Sequence, residues 1–305
     1  MKKQQLSFAG FLITFTGAVL FSTKAIIVKK AFADTQIDAL TLLTLRMVFS
    51  LPFFLGAAYL VSSKTGNVRL TKKQWIQIIL LGLFGYYLSS YFDFVGLQYI
   101  SAGLERLILF LYPTFVILIN RIFFKQKIKQ THLIALLLTY SGIGIAYYDE
   151  MMIDTTNPYF FWGSALIFLC SLTYALYISG SGKVIPVVGA SKFTAYAMLS
   201  ATMGIFVHYI LRGDYSGFTQ ASGMWGYGLL LAVIATVIPT FMLAAGLSKI
   251  GSNNVAIISG IGPVSTILQA HWILGEGIHG GQIIGTILVI AGVLLTGWKS
   301  ESTER

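Results

Sequence analysis

The sequence predicts an all-α integral membrane protein of ten transmembrane helices, built as two inverted five-helix repeats over residues 1–150 and 151–305. The first reason is an internal duplication. Phe94–Phe124, FVGLQYISAGLERLILFLYPTFVILINRIFF, returns without a gap 150 residues later as Ala244–Leu274, AAGLSKIGSNNVAIISGIGPVSTILQAHWIL. In this register Gly96 meets Gly246, Ile100 meets Ile250, Pro113 meets Pro263 and Gly142 meets Gly292. The second reason is composition. A chain that is 56% hydrophobic and 10% charged, with mean hydropathy +0.77, has more apolar surface than one soluble core can bury. The third is the placement of basic residues in short loops between apolar runs, as in cytoplasmic loops of membrane proteins.

In chain order the apolar runs are 6–28, 39–61, 75–92, 99–120, 131–148, 158–178, 192–211, 224–245, 253–274 and 281–298. Most are close to the ~20 residues that cross a ~30 Å hydrocarbon layer. The first has a basic start, Lys2 and Lys3, and an Ala31-Phe32-Ala33 sequence resembling a signal-peptidase site. Cleavage is not expected, because Lys24, Lys29 and Lys30 precede that site and the register needs this helix as the partner of the sixth run. Runs four and nine each carry a mid-segment proline, which lipid tolerates where neighbouring groups satisfy the freed backbone.

Orientation follows from the charges. Fifteen of the 21 Lys and Arg fall at the termini and in alternate loops, among them Arg121, Lys125, Lys127 and Lys129. The opposite loops hold Lys29, Lys30 and Arg212 beside Asp149, Glu150 and Asp154. Both termini are therefore expected in the cytoplasm of a bacterial cell whose cytoplasmic membrane holds the chain. Five helices per half then make the two halves enter the bilayer in opposite directions. Such inverted halves supply two related conformations, one open to each side, around a site at their junction.

The segments Leu97–Thr114 (LxxISAxLERLILFLYPT), GLSKIGSNNVAIISGIGPV, GEGI and GTILVIAGVLL carry a resemblance over almost the whole chain. The sequence resembles the drug/metabolite transporter superfamily, EamA family. The resemblance implies a ten-helix secondary transporter that exports amino acids, metabolites or drugs. It also places the acidic residue that commonly follows the ninth helix at Glu276, where the first half has Gln126.

Ionisable residues inside apolar runs are expensive in lipid and rarely face it. Here they are Lys24, Arg46, Glu105 and Arg106, with Asp93 ending run three. At 1.5 Å per residue, Arg46, Glu105 and Lys24 lie roughly 10, 9 and 8 Å below the outer ends of their helices. Four helices of the first half thus aim charges at one outer layer, with Arg46 and Glu105 the expected cross-helix pair. Their repeat partners, Tyr174, Tyr196, Leu243, Val255 and Ala256, are uncharged. One reading is a structural ion-pair network. The other is a substrate site, in which three cations and two anions hold the carboxylate and amine of an amphoteric metabolite such as an amino acid. Glu105 or Asp93 could instead carry a coupling proton.

Tyr86, Tyr87, Tyr91, Tyr112, Tyr174 and Tyr177 continue the path, as do Asn253, Asn254 and Gln269 on helix nine. Each tyrosine also has a plainer reading as a packing or interfacial ring. His132, His208, His271 and His279 lie near helix ends without metal-ligand spacing, so no metal is expected. The dense glycines read as close helix packing, and with no Walker sequence neither ATP nor another cofactor is implied. A net charge of +10 would point to nucleic acid in a soluble chain, but these basic residues belong to membrane loops. The single Cys170 allows no disulfide. A membrane enzyme using the intramembrane charges, or a channel, is the rival class; the expected partners are a small-molecule substrate and the lipid bilayer.

Overall fold

The computed structural model describes residues 8–63, 69–125, 130–153, 157–215, 223–259 and 261–298, all of them helix, turn or coil. Gln126, Lys127, Lys129 and Asp154 lie outside the described residues. The helices are α1 (Phe8–Thr35), α2 (Ala39–Ser62), α3 (Lys72–Gly82), α4 (Ser89–Gly96), α5 (Ala102–Leu109), α6 (Tyr112–Phe124) and α7 (Gln130–Ile153). They continue as α8 (Phe160–Val188), α9 (Ala190–Arg212), α10 (Met224–Ala232), α11 (Ile238–Ser259), α12 (Gly262–Gln269) and α13 (Gly280–Trp298). Counting α3–α4, α5–α6 and α10 with the start of α11 as continuous rods, seven described segments are long and apolar enough to cross a bilayer. Large apolar side chains such as Ile122, Leu137, Leu211 and Trp272 face outward, as lipid-facing groups do.

Local chemistry sets the helix starts. Asp38 caps α2, its carboxylate accepting from Leu40 N at 3.0 Å and Thr41 N at 3.1 Å. Thr71 and Gln74 form a capping box on α3, and Ser101 caps α5 by accepting from Leu104 N at 3.0 Å. Position 251, the register partner of Ser101, is glycine. No side chain can cap a new helix there, and the loop expected between the eighth and ninth runs is helical within α11.

Two irregularities recur at the 150-residue offset. A π-helical turn, Leu83–Leu88, joins α3 to α4, and another, Val233–Val237, joins α10 to α11. Each inserts a residue and so turns the face that the following helix presents. The runs holding Pro113 and Pro263, expected as single helices, break just before each proline, which enters the first turn of α6 and of α12. The cause is steric, since the residue before proline is pushed out of the helical region and the ring offers no N–H.

The helices of residues 8–148 pack mainly on those of 161–298: α1 on α11 and α12, α2 on α9, α4 on α8 and α7 on α13. The α7–α13 contact needs glycine, because a Cβ on Gly142 would stand 2.6 Å from the Gly285 carbonyl oxygen. Leu42, Leu43, Leu45, Met47 and Phe54 of α2 are fully buried, so the first half of this helix sits in the packed core, while Phe53, Leu55 and Tyr59 of its second half face outward.

Candidate functional site

Lys24 of α1, Asp93 of α4 and Glu105 in the first turn of α5 meet in the interior. Lys24 Nζ lies 2.8 Å from Asp93 Oδ2 and 3.8 Å from Glu105 Oε1, and both carboxylates are fully buried. Neither carboxylate receives an aligned hydrogen bond from any described residue, although the Lys24–Asp93 distance is short. The contact is therefore Coulombic and badly directed, and both acids keep unused acceptor capacity.

The expected Arg46–Glu105 pair does not form; Lys24 is the cation between the acids. Arg46 Nη2 donates to Ser90 Oγ at 2.9 Å, and the guanidinium lies over the Phe94 ring at 5.0 Å, within electrostatic range of Asp93. Depth along a helix counts only the rise, while the direction each side chain takes around its helix axis decided the partner.

Arg106 follows Glu105 on α5. Its guanidinium carbon sits over Phe21 at 5.7 Å and over Phe110 at 5.6 Å, and its Nε has no acceptor among the described residues. Lys24 Nζ lies over the same Phe21 ring at 5.9 Å. Cys170 of α8 closes the floor, 3.4 Å from Ser89 Oγ and in the electrostatic field of Asp93 and Lys24.

Tyr112, Tyr174, Tyr177 and Tyr86 line up as a wall. Ring centroids are 5.2 Å apart for Tyr112–Tyr174, 5.8 Å for Tyr174–Tyr177 and 4.9 Å for Tyr86–Tyr177, whose hydroxyls are 3.1 Å apart. Tyr87 and Tyr91 form a separate group around His208, with Tyr87 Oη 3.1 Å from Nδ1. Gln269 stays on its own helix, donating to Ser265 Oγ at 2.8 Å. The side chains of Asn253 and Asn254 lie outside the described residues. Sequence reasoning missed Phe21, Ser90, Phe94 and Gly262; the register does mark Gly262, which stands where the first half has Tyr112. Among the described residues no group of His, Cys, Asp and Glu is arranged to hold a metal ion.

A rim of contacts covers the start of α5. Glu276 Oε1 accepts from Ala102 N at 3.1 Å, and Glu150 accepts from Ser101 N and from Gln282 Nε2, both at 3.2 Å. Lys29 Nζ donates to the Ile100 carbonyl at 2.6 Å and stands 4.0 Å from Glu276 Oε1. Asp149 accepts from Gly281 N at 2.8 Å. Asp149 and Glu150, expected in an outer loop, thus belong to α7 and accept hydrogen bonds. Two acids on the N-terminal end of α5 also suit its helix dipole.

The EamA-like transporter family matches this chain twice, over residues 8–148 and 161–298. The uncharacterized transporter YcbK of Bacillus subtilis is 28% identical over 293 residues, covering 91% of this chain and 89% of its own length. The biotin transporter of Escherichia coli is 24% identical over 186 residues, covering 57% of this chain and 60% of its own. A protein of known crystal structure shares the fold with a TM-score of 0.67 at 17% identity, over 97% of this chain and 98% of that one. The two matches span the helices that carry the charge cluster and those that pack against it, and the chain is a multi-pass membrane protein belonging to the EamA-like transporter family.

Proposed function

We propose that the protein is a secondary carrier exporting a small amphoteric solute, such as an amino acid, by alternating access between two inverted halves and without ATP. The observation that carries this reading is the buried trio of Lys24, Asp93 and Glu105, where one ammonium serves two carboxylates. A purely structural network would be expected to satisfy its oxygens, because an unmade buried hydrogen bond costs about 1–3 kcal/mol, more for a charged group. Here the acids can take a solute amine, and Arg106 keeps donors for a carboxylate. The double family match and the 150-residue recurrence of the π turns support two related halves. Five crossings in each half would make them inverted. Glu105 or Asp93 could also carry a coupling proton in exchange for the solute.

A second reading takes the solute as a carboxylate without an amine. It draws on the resemblance to a biotin transporter and on the cluster's excess of cations, Lys24, Arg46 and Arg106 against Asp93 and Glu105. Counterflow in liposomes loaded with amino acids or biotin tests both. Saturable exchange of a zwitterion supports the first reading, exchange of biotin alone supports the second, and a non-saturating ohmic current refutes both in favour of a channel.

A further inference from the structure

Resting on the reading of the charge cluster as a site for a carboxylate-bearing solute, we infer that Arg106 is the cation that receives the carboxylate and that Gly262 of the second half sets its position. The three buried cations are not equivalent. Lys24 is already within 3.8 Å of two acids. Arg46 also has an Nε without a described acceptor, but it gives Nη2 to Ser90 and lies in the field of Asp93. Arg106 shares Glu105 with Lys24, and no described acceptor meets its Nε, although the residue is only 7% exposed. Phe21 and Phe110 lie against the guanidinium as cation–π partners, which satisfy its charge in part but accept no in-plane N–H. A solute carboxylate supplies an in-plane acceptor of the kind that Nε lacks.

Gly262 is the backstop. A Cβ at this position would stand 2.7 Å from Arg106 Nη2 and 3.2 Å from Nε, so the guanidinium rests against bare backbone. The register partner in the first half is Tyr112, whose ring could not leave that space. Ser22 Oγ donates to the Gly262 carbonyl at 3.3 Å, tying the same backbone to α1 two residues before Lys24. The two solute ends would thus lie on either side of Phe21, the carboxylate at Arg106 and the amine at Asp93 and Glu105. A shift of α12 would move the carboxylate subsite while leaving the acids in place.

The test is thermal shift of the purified full-length protein in detergent, with phenylalanine, leucine, glutamine and alanine each beside its C-terminal amide, and biotin beside biotinamide. At least one acid is expected to raise the Tm while its amide does not. Gly262→Ala pushes only on the far end of a flexible side chain, so its probe-free Tm stays close to that of the parent while apparent affinity for the acid falls about tenfold or more. Arg106→Gln abolishes the shift, and Arg106→Lys, which keeps charge without the fork, weakens it. Gly144→Ala, where an added methyl meets open space, leaves affinity unchanged. A shift that survives undiminished in both Gly262→Ala and Arg106→Lys, or acids and amides that act alike, overturns the inference while the carrier reading stands. A parent protein that no probe shifts overturns both. If Arg106→Gln does not fold, Gly262→Ala and Arg106→Lys decide the question.

Discussion

Lys24 Nζ stands 2.8 Å from Asp93 Oδ2, joining α1 to α4 through a contact in which neither partner is more than 11% exposed at the side chain. Burying both charges cancels much of the Coulombic gain, so the pair is dangerous to break rather than valuable to have. Lys24→Gln, which leaves Asp93 and Glu105 together without a cation between them, is expected to destabilise the protein by roughly 3–5 kcal/mol. Lys24→Gln with Asp93→Asn is expected to recover much of that loss. Melting temperatures and transport rates for the four proteins check this. Stability that returns without transport places the pair in the solute site, and a stable, fully active double variant leaves it as a structural tie only.

Asp38, in the link between α1 and α2, provides a pH dependence outside the membrane. Burial pushes its carboxyl up, but hydrogen bonds from Thr41 and the contact with Arg212 outweigh burial and hold it below the ordinary carboxylate value. A group depressed on folding contributes stability above its unfolded value of about 3.9, and loses it as pH falls through the lower folded value. The Tm of the parent is therefore expected to fall more steeply below about pH 4 than that of Asp38→Asn, which keeps an N-cap acceptor without the titration. Parallel slopes for the two proteins would remove Asp38 from the acid limb.

Much of this arrangement was legible in the chain, for reasons that also mark where legibility ended. Charges inside apolar runs are rare enough that Lys24, Asp93 and Glu105 stood out, and the 150-residue register located both prolines at which helices break. Axial depth follows from counting residues, but azimuth does not, and Arg46 turned toward Ser90 instead of Glu105. The π turn at Leu83–Leu88 resets the face of α4 by a residue that no hydrophobic period announces. Glu150 looked like an outer-loop acid because it follows the end of the fifth apolar run at residue 148, yet α7 extends to Ile153 and buries it against Ser101 and Gln282. Gly262 carried no chemistry of its own; only the position of Arg106 against it gives it a role.

Orientation rests on the charges of the loops, and single cysteines test it. With Cys170 replaced, Thr155→Cys is expected to react with an impermeant thiol reagent in intact cells, while Gln126→Cys is expected to react only after permeabilisation. Labelling in the reverse pattern would place the termini outside and refute the assignment of the basic loops to the cytoplasm.

The rim over α5 joins the two family-matched segments, and its carboxylates are expected to hold the cluster shut from that side. Glu276 comes from the second segment and takes the Ala102 N–H at the start of the helix that carries Glu105 and Arg106. Gln282, also from the second segment, donates to Glu150, two residues past the end of the first segment, at 3.2 Å. Glu276→Ala removes the acceptor from Ala102 and the partial counter-charge from Lys29, which stands 4.0 Å away. Each lost contact contributes about 1 kcal/mol, enough to move a two-state opening several-fold without unfolding the chain. Cys170 reports on it, because it is the chain's single cysteine, is 2% exposed and lies beside Ser89 at the floor of the cluster. N-ethylmaleimide is expected to modify Cys170 several-fold faster in Glu276→Ala than in the parent, and Gln282→Ala is expected to act in the same direction. Unchanged rates in both variants, with a lowered Tm, would show that the rim only caps a helix and has no part in closing the site.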